Sequence, residues 1–228
     1  MKFIAECGLN HNGNLDLTYE LIRQASWAGS DIVKFQLGWR ASEGEMNCID
    51  RERIASIIDY CQYMEVTPLF SVFNIESYDL LKDFKPSLIK IASRTIVDEK
   101  SLVDRILDDG VNLIISLGMW KDDNLPYTPS DEISYLWCIS KYPSLPRDLK
   151  GFPKDFQDTD YEGYSDHTVG IETPILAISR GANIIEKHFT LDKSDVTIRD
   201  HALSATPEEF CNLVRIGKEI SKQINLGI

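Results

Sequence analysis

Short apolar runs alternate with amphipathic segments along most of the chain. The apolar runs are four to six residues long and lie between turn-forming residues, a pattern typical of buried strands. Eight such runs are predicted as strands: Phe3–Glu6, Ile32–Leu37, Thr67–Val72, Leu88–Ser93, Asn112–Leu117, Tyr135–Ser140, Gly163–His167 and Ile184–Phe189.

The segments between the strands carry apolar residues at helical spacing. Gly29 is a natural C-cap for the first segment, and Thr206 followed by Pro207 is a natural start for the last. The predicted helices are Leu15–Ala28, Arg51–Met64, Ile75–Phe84, Glu99–Asp108, Ile171–Arg180 and Pro207–Gln223.

This alternation of strand and helix indicates a parallel sheet covered by helices. Eight strand–helix units without a break in composition predict one domain over residues 1–228, a closed (β/α)8 TIM barrel. An open doubly wound sheet is the alternative, but the chain has no GxGxxG motif for a dinucleotide. Residues 120–132 and 141–162 are rich in Pro and Asp, so the barrel is predicted to be trimmed after its fifth and sixth strands.

The charge balance narrows the choice of partners. The chain has 24 Lys and Arg against 36 Asp and Glu, a net charge of −12, which argues against nucleic acid or an anionic membrane surface as a partner. The five cysteines are irregularly spaced and include no CxxC pair, so reduced thiols in a cytoplasm are expected. The N-terminus is predicted to be a strand and not a signal peptide.

Two histidines end the last two predicted strands. His167 and His188 are separated by one predicted helix, the connection that joins neighbouring parallel strands. We therefore expect the two imidazoles to lie side by side at the carboxyl edge of the barrel, where TIM-barrel chemistry is located. Two converging imidazoles in an acidic protein indicate a divalent metal site.

Charged residues inside the strands carry a second chemical signal. Lys34, Lys90, Glu186 and Lys187 interrupt apolar strands, where a charge is costly unless it is paired or used. Each lysine could simply belong to a structural ion pair. The alternation of strand faces instead places Lys34 with Gln36, and Glu186 with His188. Four serines at strand ends could add hydroxyl donors: Ser71, Ser93, Ser140 and Ser165. These groups suit a small phosphate-bearing anion next to a metal.

Other polar and aromatic residues allow less to be inferred. His11 lies in the turn-forming segment NHNG and could either stabilise that loop or bind substrate. His201 poses the same choice. The four tryptophans, Trp27, Trp39, Trp120 and Trp137, show no regular spacing and are interpreted as core or loop packing.

Several motifs resemble those of one enzyme family. AECGLNHNGN, IKIAS, SLGMW, CISKYP, GYSDHTVGIE and IEKHFTLD are similar, in this order, to motifs of the sialic acid synthase (N-acetylneuraminate synthase) family. The resemblance implies a TIM barrel that uses Mn²⁺ or Mg²⁺. It also implies condensation of phosphoenolpyruvate with an N-acyl hexosamine or related sugar aldehyde, which gives a 2-keto-3-deoxy sugar acid and phosphate. A homodimer is a further possibility for this protein.

The resemblance also assigns roles to residues. It implies that His167 and His188 bind the metal and that Glu6 belongs to the catalytic site. Phosphoenolpyruvate would be bound by Lys34, Ser71, Lys90, Ser93, Ser140 and Ser165, and the sugar by Gln36, Tyr142 and Asp200.

The chain departs from the family pattern in its sugar-binding half. Members usually continue into an antifreeze-like domain, which this chain is expected to lack. Arg94 and Arg199 stand where small residues are usual, and Thr95 replaces an acidic residue. A guanidinium binds carboxylate or phosphate well, so we expect an acceptor that is smaller or more anionic than N-acetylmannosamine. The alternative for the two arginines is that they point to solvent. The alternatives for the function are a different metal-dependent carbon–carbon bond enzyme, such as an aldolase, and a non-catalytic homologue.

Overall fold

Eight parallel strands close into a barrel in the computed structural model, which describes residues 1–227. Each strand pairs with its neighbours in sequence, and β8 returns to pair with β1. This topology confirms the predicted (β/α)8 TIM barrel and excludes the open sheet. The strands are β1 (Lys2–Gly8), β2 (Ile32–Leu37), β3 (Thr67–Val72), β4 (Leu88–Ile91), β5 (Asn112–Ser116), β6 (Ile133–Cys138), β7 (Tyr161–Asp166) and β8 (Ile184–His188).

Helices surround the strands, and their ends follow local capping signals. The Asn14 side chain accepts a hydrogen bond from the Asp16 N–H at the start of the first helix. Thr206 and Glu209 form a reciprocal capping box at the start of the last one. The helices are α1 (Leu15–Trp27), α2 (Arg51–Tyr63), α3 (Ile75–Lys82), α4 (Ser93–Asp98), α5 (Lys100–Asp108), α6 (Glu172–Ser179) and α7 (Pro207–Asn225).

One short helix was not predicted. The sequence pattern extends the fourth strand to Ser93, whereas β4 ends at Ile91 and Ser93 begins α4. With six residues, α4 is too short to show a helical period, and no side chain caps its start. The Ser93 side chain is instead used elsewhere, because its hydroxyl accepts a hydrogen bond from the Gly118 N–H at 2.9 Å.

The barrel is trimmed on one side, as predicted. Residues 117–132, all of which the structure describes, contain no helix, and the segment after β6 forms only a short 3₁₀ turn at Pro146–Asp148. Aromatic side chains of these loops pack against the outer core in place of helices, among them Trp120, Tyr127 and Phe152. No helix among the described residues is long and apolar enough to cross a membrane.

The interior of the barrel divides into an apolar and a polar layer. Six buried side chains form the apolar layer near the amino ends of the strands: Ile4, Ile32, Leu69, Ile114, Leu136 and Ile184. One pleat further along, Glu6 and Lys34 occupy the same inward faces as Ile4 and Ile32. Gly163 lets β7 approach β8 closely, because a Cβ there would lie 2.0 Å from the Ile184 carbonyl oxygen. Because the apolar layer closes the amino end of the barrel, the polar layer opens toward the carboxyl ends of the strands.

Candidate active site

One cavity of about 510 Å³ opens at the carboxyl ends of the strands. It brings together every residue to which the family resemblance assigns a role, together with Arg94 and Arg199, although their roles remain predictions. These residues are Glu6, Lys34, Gln36, Ser71, Lys90, Ser93, Arg94, Ser140, Tyr142, Ser165, His167, His188, Arg199 and Asp200.

Two lysines and two glutamates form the floor of the cavity. The Lys34 ammonium lies 2.7 Å from a Glu6 carboxylate oxygen and 3.6 Å from Glu186. The Lys90 ammonium lies 3.9 Å from the other oxygen of Glu186. All four side chains are buried, and Glu186 lies between the two cations. Both lysines therefore belong to ion pairs, which agrees with a structural role. They also line the cavity, where they could bind a ligand.

Burial and mutual attraction set the protonation of this floor. Burial raises the pKa of Glu6, with the Lys34 charge opposing the shift. Burial alone would lower the pKa of Lys34, but the charges of Glu186 and Glu6 outweigh it and raise the pKa. Burial lowers the pKa of Lys90, against the attraction of Glu186. Glu6 is therefore the floor group that accepts a proton most readily when its partner is removed.

Hydroxyl groups connect the charged floor to neighbouring strands. The Lys90 ammonium donates to Ser116 Oγ at 2.7 Å, and Ser165 Oγ donates to Glu186 Oε1 at 2.7 Å. Ser116 also lines the cavity, although it is not among the predicted site residues. The signal was present, because Ser116 lies two residues after the inward-facing Ile114 at the end of β5. Ser116 can therefore share an anion with Lys90.

The two predicted metal ligands lie side by side. The ring centroids of His167 and His188 are 5.4 Å apart. His167 Nδ1 donates to the Ile139 carbonyl at 2.7 Å, which leaves Nε2 with a free lone pair. His188 Nδ1 is buried and has no hydrogen-bond partner in the described structure. A buried nitrogen without a partner on one ring and a free lone pair on the neighbouring ring fit a metal ion.

Burial also keeps these imidazoles neutral. It lowers the pKa of His167 to about 4, and it lowers the pKa of His188 as well. Neutral imidazoles are the form that binds metals. Within residues 1–227, no group of three or more His, Cys, Asp or Glu side chains could hold an ion. The protein would therefore supply two ligands, and water or substrate the others.

Aromatic rings and arginines form the rim of the cavity. The Arg94 guanidinium lies 5.5 Å from the ring centroid of Trp39, and that of Arg199 lies 4.8 Å from Tyr142. Their side chains are 54% and 71% exposed, yet both line the cavity. Both arginines are thus solvated in the protein and within reach of a ligand at the mouth.

Some interpretations of individual residues need correction. Trp39 is not simply a packing residue, because it lines the cavity together with Phe73, whose ring centroid is 5.5 Å away. Trp27 is not core either, since it is 63% exposed. No sequence period marks Trp39 and Phe73, because they lie in loops beyond the strand ends.

The other two histidines are structural. His11 is buried outside the cavity lining, where Nδ1 accepts a hydrogen bond from the Gly13 N–H at 3.0 Å and Nε2 lies 3.2 Å from Asn47 Oδ1. His201 is buried against Thr190, with 2.7 Å between Nδ1 and Oγ1. Both rings hold loops at the carboxyl end of the barrel.

The fold and the cavity define a TIM-barrel protein with a buried floor of paired lysines and glutamates beside a pair of neutral imidazoles. The profile of the NeuB family matches residues 42–227, and the chain belongs to this family. The comparison confirms the resemblance seen in the sequence.

Named relatives agree with this assignment. The chain is 31% identical to N,N'-diacetyllegionaminic acid synthase of Legionella pneumophila, over 98% of the chain and 73% of that protein. It is 27% identical to human N-acetylneuraminate-9-phosphate synthase, over 93% of the chain and 68% of the relative. The crystal structure of N-acetylneuraminic acid synthetase from Leptospira borgpetersenii superimposes with a TM-score of 0.81 at 28% identity, covering 97% of this chain and 84% of that one.

Proposed function

We propose that the protein condenses phosphoenolpyruvate with a sugar aldehyde to give a 2-keto-3-deoxy sugar acid and phosphate. One observation carries this proposal: two buried lysines that flank Glu186 and two neutral imidazoles line one cavity. The lysines suit a small polyanion, and the imidazoles suit a divalent cation. The family's synthases of sialic-acid-type sugars support the same reaction class. Such a reaction belongs in the cytoplasm.

The floor of the cavity would bind phosphoenolpyruvate. Lys34 and Lys90 offer two ammonium groups, one for the phosphate and one for the carboxylate. Hydroxyl donors from several strands would take the remaining oxygens: Ser71, Ser93, Ser116, Ser140 and Ser165. A low-dielectric floor strengthens each of these contacts relative to water.

The imidazole pair would hold the metal, Mn²⁺ or Mg²⁺, with water and substrate oxygens as further ligands. When bound, the ion would polarise the aldehyde oxygen of the acceptor as a Lewis acid. The two histidines lie at the ends of β7 and β8, above the floor. The acceptor would therefore lie between the floor and the rim.

The residues then define a course for the reaction. C3 of the enol phosphate forms a bond to the aldehyde carbon, and the electron pair of the carbonyl π bond moves to the aldehyde oxygen. Water adds at the electron-deficient C2 that this leaves, and one proton of that water passes to the aldehyde oxygen. The bond between C2 and the bridging oxygen then breaks, phosphate leaves with that oxygen and with the proton of the C2 hydroxyl, and C2 becomes the keto carbon. We propose that Glu6, which lies 2.7 Å from Lys34 and accepts a hydrogen bond from the Gln36 amide at 2.6 Å, takes the proton from that water.

The rim would select the acceptor. Gln36, Tyr142 and Asp200 would contact the sugar hydroxyls, and Asp200 has a buried oxygen without a hydrogen-bond partner in the described structure. Arg94 and Arg199 add two cations at the mouth. We propose that they bind an anionic group of the acceptor, a carboxylate or phosphate.

Phosphate release tests the proposed reaction. The purified protein is incubated with phosphoenolpyruvate, Mn²⁺ and a panel of neutral, phosphorylated and acidic aldoses, and inorganic phosphate is measured. Release that depends on an aldose and stops with a chelator supports the proposal. An aldolase would join carbon chains without releasing phosphate, and a non-catalytic homologue would bind phosphoenolpyruvate without turnover; either result contradicts it.

A further inference from the structure

A buried ion pair lies directly behind the two histidines. Lys187 Nζ donates to Asp166 Oδ2 at 2.6 Å, and both side chains are fully buried on the outer face of the barrel. Asp166 and Lys187 are direct register partners of β7 and β8. Each immediately precedes one of the histidines in sequence, and neither lines the cavity.

The carboxylate of Asp166 also fixes the chain after β7. Its Oδ1 accepts hydrogen bonds from Tyr164 Oη at 2.6 Å and from the Thr168 backbone N–H at 3.1 Å. Thr168 Oγ1 donates to the same oxygen at 2.8 Å. The Lys187 ammonium also donates to the Thr168 carbonyl. The residues on both sides of His167 are therefore bonded to the residue that precedes His188.

Strand geometry transmits this restraint to the cavity. Successive side chains point to opposite faces, so Asp166 and Lys187 on the outside place His167 and His188 on the inside. We infer that the Asp166–Lys187 pair is a positioning element that holds the two imidazoles at the separation with which they bind one divalent ion. The inference rests on the metal site of the proposed function.

General stabilisation does not account for this arrangement. Replacing a buried ion pair by apolar groups is often neutral or stabilising, because both charges lose their hydration. The strands here are already held by the closed main-chain ladder and by the apolar layer of the interior. The Asp166–Lys187 ion pair adds a restraint on the distance between the carboxyl ends of β7 and β8, where the two histidines lie.

Metal titration of a double variant tests the inference. Asp166→Asn with Lys187→Met removes both charges together, so that neither is left buried alone. Mn²⁺ binding, followed by the loss of the free-ion electron paramagnetic resonance signal, is expected to weaken about tenfold or more. Binding of inorganic phosphate at the lysine floor is expected to stay within about twofold, because neither Asp166 nor Lys187 lines the cavity. Val103→Ala, a core substitution on α5 far round the barrel, controls for loss of stability and should leave Mn²⁺ binding unchanged.

A milder variant covers failure of the double variant to fold. Tyr164→Phe removes one hydrogen bond to Asp166 and keeps the ring, and it should weaken Mn²⁺ binding in the same direction by a smaller factor. Crystal structures should show the histidine rings displaced from their 5.4 Å separation while the Lys34–Glu6 contact is kept. Unchanged Mn²⁺ affinity in the folded variants, or a wild-type protein that binds no Mn²⁺, overturns the inference. Absence of phosphate release from a protein that binds Mn²⁺ contradicts only the proposed reaction.

Discussion

The ring of Tyr142 packs against the imidazole of His167, with 4.2 Å between the ring centroids and 43° between the ring planes. The same tyrosine meets His188 edge-on at 6.0 Å and carries the Arg199 guanidinium at 4.8 Å. The group expected to contact the sugar is thus in direct contact with a group expected to bind the metal. An acceptor held by Tyr142 would have its reacting end at the histidines and an outer substituent near Arg199.

His167 and His188 are expected to be required for metal binding and not for folding. Each ring lies at a strand end, outside the apolar core, so His167→Ala or His188→Ala should leave the circular dichroism spectrum unchanged. Calorimetric titration should show loss of Mn²⁺ binding, and phosphate release should cease. His201→Gln, which alters a buried histidine of the loop network, is the matched control and should bind Mn²⁺ normally. Normal Mn²⁺ binding by both alanine variants would show that the ion binds elsewhere.

Lys34 and Lys90 are expected to bind the anionic groups of phosphoenolpyruvate. Replacing either by Met should cost about 2–4 kcal/mol in binding or transition-state stabilisation, since a buried charge contact is lost. Because Lys34→Met alone leaves Glu6 without its cation, the double variant with Glu6→Gln should be used for titration. Lys82→Met, which breaks an exposed ion pair on α3, is the control. Unchanged affinity for phosphoenolpyruvate in both lysine variants would assign the lysines to structural ion pairs.

Arg94 and Arg199 are expected to set the preference for the acceptor. Arg94→Ala and Arg199→Ala should each lower kcat/KM for an anionic aldose about tenfold, or about 1.4 kcal/mol, and leave KM for phosphoenolpyruvate unchanged. The effect is modest because both side chains are solvated. Arg23→Ala is a fair control, since Arg23 also stacks on an aromatic ring, that of Trp27, but lies on α1. A preference for neutral N-acetylmannosamine that both substitutions leave intact would refute an anionic acceptor.

His11 is expected to make stability depend on pH. Burial lowers its pKa from 6.5 to about 4, and Nδ1 is occupied by the Gly13 N–H. Below pH 6.5 the unfolded chain binds a proton that the folded protein excludes, so the free energy of unfolding should fall as the pH drops toward 4 and level off below it. The loss should reach about 3 kcal/mol.

Urea denaturation of wild type and His11→Gln between pH 4 and 7.5 measures this contribution. The variant loses hydrogen bonds at every pH, so only the slope is diagnostic. His167 contributes a similar slope in both proteins and cancels in the comparison. Parallel curves for the two proteins would mean that the pKa of His11 does not differ between the folded and unfolded states.

The sequence was sufficient for the barrel and for the floor of the cavity, for a physical reason. Lys34 and Lys90 stand out because a charge in a buried strand is rare, and the alternation of strand faces tells which neighbours share the cavity. The loops carry no such period. The packing predicted for Trp39 is therefore incomplete, because this residue also lines the cavity, and Ser116 is not predicted because a serine at a strand end is common. The short helix α4 is not predicted for the same reason, since six residues are too few to show the helical spacing of apolar side chains.

The four charges of the floor balance one another, two positive and two negative. Anion binding in this cavity would therefore be an exchange of counter-ions, because each lysine is already paired with a glutamate of the protein. An arriving anion must displace Glu6 or Glu186 from a lysine, and the energy of that exchange is the difference between two ion pairs. Single charges such as chloride gain little from it, whereas a phosphate ester with two charges on adjacent oxygens gains more. The same balance lets the lysines stay charged in a folded barrel without any ligand to neutralise them.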